Sequence, residues 1–549
     1  GLGLPSGLGL PSGLGLPGGL GLPGGLGLPS GLGLPSGWQD QRVFLRVGSA
    51  NYAAEVWVNG TRVGDHLGGH LPFAFEITGL LRWGVPNTIA IRVENELRPT
   101  RVPPGNVALG AMDLSRHSYP ATTFDFFPYG GLHRPVLLYA VPPCHIADVT
   151  VVTDLDGGDG LVRVTVVQDG DVAAGKVTLS GEGRTFTASL VFDGEGLAET
   201  QLHVPDARRW SPDDPFLYRA TITLDEGDRV VDRYTLDVGI RTVAVEDGKI
   251  LLNGEPIFLT GFGKHEDFPI HGRGLDLPLI VKDYALLKWV GANSYRTSHY
   301  PYSEEAMQMA DREGILIIDE IPAVGLFFDD EEGIAARLAQ CQQQLRELIA
   351  RDKNHPSVIM WSVANEPHTL EKKPETQDKP RAKTFFAALF KEARTLDPTR
   401  LVTFVSMIGA ADESLEFADV VCINRYYGWY SEPGRIPEAM ERLSKDLDAI
   451  HAKFGKPIII SEFGADTVAG MHSDPPEMFT EEYQVAFLRH YLEVATRKPY
   501  IVGLHVWNFA DFKTGQSIIR VGGMNLKGVF TRDRRPKMAA HFLREQWSR

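Results

Sequence analysis

The chain has 549 residues, of which 43% are hydrophobic and 23% are charged, and its formal net charge at pH 7 is −15. A chain of this length exceeds what one hydrophobic core can organise, so we expect about three or four domains. The excess of acidic residues excludes long-range attraction to nucleic acid or an anionic membrane, and an anionic substrate would need a local basic pocket.

The chain begins with a short repeat. Residues 1–36 are six copies of Gly-Leu-Gly-Leu-Pro followed by Ser or Gly. A proline in every copy would interrupt a β-ladder, and glycine does not recur at every third position as collagen requires. We therefore predict that residues 1–37 form a low-complexity segment, disordered or artefactual, that takes no part in the fold.

Residues 38–142 contain short runs of alternating apolar and polar residues, separated by turn signals such as Asn59-Gly60. This pattern is typical of antiparallel strands and predicts a jelly-roll-like β-sandwich. The strand candidates are Val43–Val47, Ala54–Val58, Thr88–Val93 and Pro135–Tyr139.

Residues 143–241 continue in the same style, with acidic, glycine-rich turns between the runs. Their length and alternation predict a smaller, immunoglobulin-like β-sandwich. The strand candidates here are Val149–Val152, Val162–Val167 and Leu217–Leu224.

Residues 242–549 change to an alternation of strands and helices, which predicts a C-terminal (β/α)8 TIM barrel. The strand candidates are Ile257–Thr260, Asn293–Arg296, Ile315–Asp319, Val358–Trp361, Leu401–Phe404, Val420–Ile423, Pro457–Ile460 and Val502–Val506. Amphipathic helices are expected between them, for example over Ala336–Ala350 and Glu482–Ala495. The predicted fold is thus multidomain, with two β-sandwiches and one α/β barrel.

Two glutamates follow apolar, β-branched runs of this barrel. Glu366 comes after the fourth predicted strand and Glu462 after the seventh, at the mouth where such barrels carry their chemistry. Glycoside hydrolysis needs two carboxyl groups, because one protonates the leaving oxygen while the other attacks or stabilises the anomeric carbon. Either glutamate alone would be read as a solvated strand-end residue, whereas the pair predicts a sugar hydrolase.

Other residues near these strand ends could bind a sugar. The amide of Asn365 could donate to a hydroxyl, although capping a turn is an equal alternative. Tyr426 could hydrogen-bond Glu462, which we expect to stay ionised while Glu366 carries the proton. The aromatic segment Asn424–Tyr430 suggests a wall for sugar rings, or else rim packing, which is the role expected for Trp429.

A group of histidines follows the first two predicted strands. His265 and His271 lie near acidic residues, but their spacing is not that of a metal site, so we expect neither a metal nor another cofactor. His265 is better placed to touch a sugar hydroxyl. His299 is expected to be a buried structural imidazole, and Arg296 to brace the catalytic carboxylates by its charge.

The three cysteines are far apart and lack metal-type spacing, which excludes a disulfide scaffold and a thiolate zinc site and suits a reducing compartment. They are Cys144, Cys341 and Cys422. There is also no run of about 18 apolar residues, so we expect no membrane span and a cytoplasmic location.

The loop after the last predicted strand carries two cations and an amide, namely Arg520, Lys527 and Asn525. In an acidic protein such a cluster could hold a carboxylate through charge-assisted hydrogen bonds. The alternative is a surface basic patch, continuous with the cations further along the chain. Composition alone does not separate the two interpretations. The further cations are Arg532, Arg534, Arg535 and Lys537.

Several motifs from about residue 38 to the C-terminus resemble those of glycoside hydrolase family 2. The family motifs are Asn293–Pro301, Asp352–Pro356, Asn365–Pro367 and Ser461–Gly464. Three further segments resemble the β-glucuronidases within that family, namely Asn424–Tyr430, Trp507–Phe512 and Gly528–Asp533.

The resemblance implies a retaining mechanism, with Glu366 as acid/base and Glu462 as nucleophile, assisted by Asn365 and Tyr426. It implies that Asn525 and Lys527 bind the carboxylate of a uronic acid. The other substrate-binding residues that it implies are Asp125, His265, Asn424, Tyr430, Trp507 and Arg520.

Three departures from the family pattern bear on these expectations. One extra residue, Met524, precedes Asn525 and could shift the side chains that bind the carboxylate. The first strands of the family's sandwich would precede Trp38, where this chain has the repeat, so the sandwich is expected to lack them. The segment Gly325–Gly333 is short and acidic, which predicts an open mouth able to admit oligosaccharide ends as well as small glucuronides.

We therefore predict an exo-acting, retaining β-glucuronidase, a homo-oligomer by family resemblance. Two alternatives remain open at this point. One is a family 2 enzyme for another sugar, a β-galacturonide or a β-galactoside. The other is a catalytically silent carbohydrate-binding protein.

Overall fold

A computed structural model describes residues 34–105, 118–328, 331–370 and 381–547. Of the repeat predicted over residues 1–37, positions 1–33 lie outside this description, as do residues 329 and 330 of the acidic segment. The chain divides into two compact units. One contains the residues up to Glu96 together with 130–241 and 353–356, and the other contains the remainder.

The first unit begins with eight antiparallel strands. They are β1 Arg42–Val47, β2 Ala50–Asn51, β3 Ala53–Val58, β4 Thr61–Leu67, β5 Phe73–Glu76, β6 Ile89–Glu94, β7 Gly131–Leu132 and β8 Val136–Val141. They form the sheets β5-β1-β8, β4-β3-β6 and β2-β7. Every second residue of β1 and β3 is buried, as expected for sheets that pack by one face. All four predicted strands of this segment are confirmed.

The same unit contains a second sandwich of longer strands. They are β9 His145–Asp156, β10 Asp159–Asp169, β11 Ala174–Gly181, β12 Arg184–Val191, β13 Leu197–Val204, β14 Tyr218–Glu226 and β15 Arg229–Val238. The sheets β13-β10-β9 and β12-β11-β14-β15 share one core, which includes Val164 and Ile222. The predicted immunoglobulin-like sandwich is confirmed, because inward-facing side chains of both sheets alternate with polar ones.

The second unit contains a closed parallel barrel of eight strands. They are β19 Leu259–Gly263, β20 Ser294–Arg296, β21 Leu316–Glu320, β22 Val358–Asn365, β23 Leu401–Ser406, β24 Val421–Asn424, β25 Ile458–Glu462 and β26 Ile501–Val506. The small sheet β16 Val243–Glu246, β17 Lys249–Leu252 and β18 Glu255–Ile257 precedes it, and the hairpin β27 Phe512–Lys513 and β28 Met524–Asn525 follows it. The predicted barrel is confirmed.

Seven α-helices belong to the described part of this unit. They are α1 Leu277–Val290, α2 Glu304–Glu313, α3 Glu331–Asp352, α4 Arg381–Leu396, α5 Ile436–Phe454, α6 Glu481–Thr496 and α7 Met538–Trp547. Helix α1 begins where the side chain of Asp276 accepts from the Leu279 N–H at 3.1 Å and ends at the left-handed Gly291. None of the helices in the described ranges is long and apolar enough to span a lipid bilayer.

Two barrel strands extend further than their apolar runs indicate. Strand β22 continues beyond Trp361 to Asn365, and β25 continues beyond Ile460 to Glu462. The additional positions include polar residues that are buried at the barrel mouth, namely Ser362, Asn365, Ser461 and Glu462, so hydrophobicity alone underestimates the strands. Glu462 is therefore the last residue of a strand, and Glu366 follows one directly.

The basic C-terminal segment is not the surface patch that its composition allows. Arg534 and Lys537 are buried, and their ion pairs with Asp283 and Asp511 are both 2.8 Å long. A buried cation needs such a partner because leaving water is costly for it. Arg535, by contrast, has a side chain that is 80% exposed.

Candidate active site

A cavity of about 690 Å3 lies at the C-terminal ends of the barrel strands. All but two of the site residues predicted from the sequence line it. The lining members are Asp125, Asn365, Glu366, Asn424, Tyr426, Tyr430, Glu462, Trp507, Arg520 and Asn525. Residues 97–105 and 118–129, which the sequence placed in the first sandwich, belong to the same compact unit as the barrel. Asp125 thus reaches the cavity within one unit.

Glu366 is directed into the cavity by irregular backbone. The pairing of β22 with β23 shifts register between Ser362 and Asn365, and such bulges re-aim the side chains that follow. Glu366 itself has a φ of 47°, a left-handed conformation that is uncommon for residues other than glycine. Its N–H donates to the Val405 carbonyl at 2.9 Å, which holds this conformation. The Asn424 amide donates to its carboxyl oxygen at 2.8 Å.

Glu462 sits at the end of β25 among strong donors. The guanidinium of Arg296 donates to one of its oxygens, and the Tyr426 hydroxyl donates to the other at 2.6 Å. Arg296 is fully buried and also binds both oxygens of Glu320, at 2.7 and 2.8 Å. His299 Nδ1 contacts Glu320 at 3.0 Å. Arg296 therefore bridges two buried carboxylates, and His299 lies beside them in the wall of the cavity.

Burial is the largest influence on the proton affinity of both glutamates. It raises the pKa of Glu366, although the Asn424 amide acts against it. It raises the pKa of Glu462 to about 8, against the opposing effect of Arg296, and the nearby charge of Glu366 adds to the rise. Two interacting carboxyls of this kind hold one proton between them near neutral pH. Since a guanidinium and a phenol both donate to Glu462, these contacts favour the negative charge there and the proton on Glu366.

Asn365 and Trp507 complete the wall around the two glutamates. The oxygen of the Asn365 amide accepts from Arg296 and from Asn424, each at 3.3 Å, which leaves its NH2 group for a ligand. The Trp507 ring stacks on His299 with 5.1 Å between centroids. A side chain at Gly464 would meet the Trp507 carbonyl at 1.9 Å, so the segment that follows strand β25 requires glycine there.

One end of the cavity carries a cation, an amide and a carboxylate. Arg520 Nε donates to Asp125 Oδ1 at 2.7 Å, and the Asn525 amide donates to Asp125 Oδ2 at 2.7 Å. Arg520 Nη2 also donates to the Tyr430 hydroxyl at 2.9 Å. Burial acts to raise the pKa of Asp125, yet Arg520 and Asn525 keep it below its usual value. Asp125 is therefore a carboxylate whose role includes holding Arg520 and Asn525 in place.

Lys527 lies behind this end of the cavity and does not line it. Its fully buried ammonium donates to the Tyr430 hydroxyl at 2.9 Å and to Asp466. It also lies 4.7 Å from the centre of the Tyr430 ring. Arg520 and Lys527 thus converge on one phenolic oxygen. Asp125 and Asp466 balance their two charges, so a further carboxylate must bind through donors that these contacts leave open.

We refer to Arg520, Asn525 and Lys527, with Tyr430, as the clamp. Arg520 Nη1 is buried and has no hydrogen-bond partner among the described residues, although Asp466 lies 3.6 Å away. A buried donor without an acceptor is costly unless a ligand satisfies it. The clamp can therefore bind an anionic group of a molecule in the cavity.

The opposite side of the cavity is largely apolar. It is formed by the loops after β21, β22 and β23, on the side where Glu366 lies. Its apolar members are Val324, Phe327, Phe328, Leu370 and Met407. A molecule that spans the cavity would therefore place a polar, anionic part at the clamp and a less polar part beyond Glu366.

His265 is the other predicted site residue that does not line the cavity. It is buried, and its Nδ1 lies 3.1 Å from the Tyr300 hydroxyl. Its ring packs against Phe512 and Trp507, with centroids 4.2 and 5.4 Å apart. In the structure His265 therefore packs against Trp507 without lining the cavity itself. Among the described residues, no group of three or more acidic, histidine or cysteine side chains is placed to hold a metal ion.

Sequence reasoning missed two carboxylates of this site, Glu320 and Asp466. Glu320 ends the third barrel strand, and Asp466 comes four residues after Glu462. Their positions at or just after the ends of barrel strands could have identified them, because barrel enzymes carry their catalytic residues there. Nothing local, however, shows which cations they bind.

Models of glycosyl hydrolases family 2 match the chain in three segments. The TIM barrel domain matches residues 243–549, the sugar binding domain matches residues 30–142, and a third family 2 model matches residues 144–241. The barrel model alone covers more than half of the chain.

Individual relatives are similar over most of their length. β-Glucuronidase of Rattus norvegicus is 46% identical over 524 residues, which are 93% of this chain and 78% of the relative. The solved structure of β-D-glucuronidase for Dictyoglomus thermophilum is 43% identical, with a TM-score of 0.85 over 94% of this chain and 89% of that one. That of Bifidobacterium dentium β-glucuronidase complexed with coumarin-3-O-glucuronide is 38% identical, with a TM-score of 0.89 over 94% and 87%. With its barrel, its two sandwiches and its paired glutamates, the chain belongs to glycosyl hydrolase family 2.

Proposed function

We propose that this enzyme is an exo-acting β-glucuronidase that hydrolyses β-D-glucuronides with retention of configuration. The similar proteins named above are β-glucuronidases, and one of them is complexed with an aryl glucuronide. The proposal rests chiefly on the clamp, where the cation of Arg520 and the amide of Asn525 line the cavity. A sugar chain could not continue past this buried end, which supports the removal of terminal residues only.

The carboxylate of a bound glucuronide fits the clamp by chemistry. Arg520 Nη1 has an open position, and Lys527 uses two of its three ammonium hydrogens in contacts with the described residues. The Asn525 side chain is held by Asp125 beside them. Charge-assisted hydrogen bonds of this kind are about twice as strong as neutral ones, and an anionic acceptor adds its attraction to the two cations. A neutral hexose offers hydroxyl acceptors without that charge.

The two glutamates can then perform a double displacement. Glu462 attacks the anomeric carbon as the bond to the aglycone oxygen breaks, and Glu366 gives that oxygen its proton. A glucuronyl ester of Glu462 results. Deprotonated Glu366 next takes a proton from water, whose oxygen attacks the anomeric carbon and releases Glu462. This mechanism requires the two carboxyl groups to lie about 5–5.5 Å apart.

A substrate panel tests the proposal directly. The purified protein is assayed with aryl β-glucuronide, β-galacturonide, β-glucoside and β-galactoside under the same conditions. We expect kcat/KM to be highest for the glucuronide, because only it combines a carboxylate with the glucose arrangement of hydroxyls. A preference for galacturonide or galactoside would support another family 2 enzyme. Binding of a sugar without turnover would reveal a silent carbohydrate-binding protein.

The shared proton of Glu366 and Glu462 predicts the pH dependence of hydrolysis. Burial raises the pKa values of both glutamates, so the shared proton is held to a higher pH than a solvated carboxyl would hold it. We expect kcat/KM to fall on the alkaline side, because the leaving oxygen lacks its acid once this proton is lost. Rates from pH 4 to 10 measure this fall. It should weaken in Glu366→Ala with an acidic phenol as leaving group, and a wild-type rate that stays constant to pH 10 would contradict the assignment.

Two wider expectations belong to the same proposal. The substrate class is a small-molecule or oligosaccharide glucuronide, and assembly into a homo-oligomer is expected from the family resemblance. Light scattering after size-exclusion chromatography measures the assembly. A cytoplasmic location is likewise an expectation from the cysteines.

A further inference from the structure

We infer that Lys537, on the segment before helix α7, is a positioning residue that determines the preference for a carboxylate at the clamp. The inference rests on the proposed glucuronidase function. Lys537 does not line the cavity and is almost completely buried, at 2% relative exposure. Lys537 would therefore affect substrate binding indirectly, by holding the backbone that carries the clamp side chains.

The ammonium of Lys537 joins three parts of the chain. It donates to the Leu526 carbonyl at 3.0 Å, to the Thr467 carbonyl at 2.8 Å and to Asp511 Oδ1 at 2.8 Å. These three acceptors match the three donors of an ammonium group. Lys537 therefore has no donor left for a ligand, unlike Lys527.

Leu526 is the residue between the two side chains of the clamp, Asn525 and Lys527. Its N–H donates to Asp466 Oδ1 at 2.8 Å, and its carbonyl accepts from the Thr467 N–H at 2.9 Å as well as from Lys537. Asp466 is also the counter-ion of Lys527. The contacts of Leu526 thus fix both the direction of this backbone and the carboxylate that orients the Lys527 ammonium.

Loss of Lys537 would leave the Leu526 carbonyl with the Thr467 N–H as its remaining described donor, so this backbone would be held less firmly. Since Asn525 and Lys527 lie on either side of this residue, both side chains would shift together. Displacements of about 1 Å at a binding group can reduce rates about 100-fold. The effect should be confined to substrates that bind through the clamp. A merely structural role, in which Lys537 only neutralises the buried Asp511, would lower stability without changing substrate preference.

The test compares Lys537→Met with Arg534→Met. Arg534 is a second buried cation of the same segment, and it binds Asp283 and the Asp267 carbonyl rather than Leu526. We expect Lys537→Met to lower the ratio of kcat/KM for aryl glucuronide over aryl glucoside about 10-fold or more, mainly through KM. Arg534→Met should keep the wild-type ratio of the two kcat/KM values even if it unfolds at a lower temperature.

A second variant is designed to fold even if Lys537→Met does not. Lys537→Met leaves Asp511 buried without its cation, so Lys537→Met with Asp511→Asn is measured alongside it. An unchanged ratio in either folded variant would overturn the inference, as would an equal fall in Arg534→Met. If the wild type does not hydrolyse the glucuronide, the proposed function itself is wrong, which distinguishes the two failures.

Discussion

Replacing Glu462 with alanine is expected to reduce hydrolysis of an aryl glucuronide by about 10^4-fold or more, because no covalent intermediate can form. Two donors bind the Glu462 carboxylate, because Arg296 donates to one of its oxygens and Tyr426 donates to the other. Initial rates at saturating substrate measure the effect. Glu438→Ala, on the exposed face of helix α5, is a control that removes a glutamate far from the cavity.

Added azide separates the role of Glu462 from that of Glu366. In Glu462→Ala, azide can occupy the vacated space and attack the anomeric carbon once, so the product should be the α-glucuronyl azide. In Glu366→Ala, the ester of Glu462 still forms, and a second attack should give the β-glucuronyl azide. An aglycone that leaves without protonation is needed for Glu366→Ala, which lacks the acid. Products of the opposite configurations would mean that the two roles are exchanged.

Replacing Lys527 with methionine is expected to lower kcat/KM for an aryl glucuronide by about 100-fold, whereas kcat/KM for the matching glucoside should change little. A hydrogen bond to a charged group is worth about 1.5–3 kcal/mol, which is about 10- to 150-fold in binding. The larger value is expected because Asp466 loses its closest cation and would then repel the substrate carboxylate.

The control for this prediction is Lys288→Met. Lys288 is an exposed lysine of helix α1 that pairs with Glu313 at 2.8 Å, so its loss changes the net charge without touching the cavity. Lys527→Met combined with Asp466→Asn removes the unpaired carboxylate and should recover part of the glucuronide rate. Equal losses on glucuronide and glucoside in Lys527→Met would defeat the idea that the clamp recognises the carboxylate.

The barrel could be predicted because its strands are continuous apolar runs separated by helices, a pattern that is local in sequence. The catalytic glutamates were predictable for the same reason, since each follows such a run. The ends of β22 and β25 were misjudged because their last residues are polar yet buried. Burial of a polar residue depends on what surrounds it in space, which a run of residues does not express.

The clamp shows more clearly what the sequence does not reveal, namely which distant residues contact each other. Its two cations lie close together in sequence, but composition left a carboxylate site and a surface patch equally open. Asp125 binds Arg520 across 395 positions, and Asp283 binds Arg534 across 251. Partners that far apart become neighbours only when the whole barrel has closed. Lys537 is another example. The composition of its segment allowed a surface basic patch, but the structure buries it against the backbone of the clamp.

The amino-acid sequence was sufficient to predict the order of domains, the barrel and the pair of glutamates, because hydrophobic periodicity and strand-end position are short-range properties. The three-dimensional fold alone determined which carboxylate carries the guanidinium and phenol contacts, which donor of the clamp stays open and how Lys537 is buried. Those features depend on desolvation and on charge pairing between distant segments, and both arise only when the chain has packed.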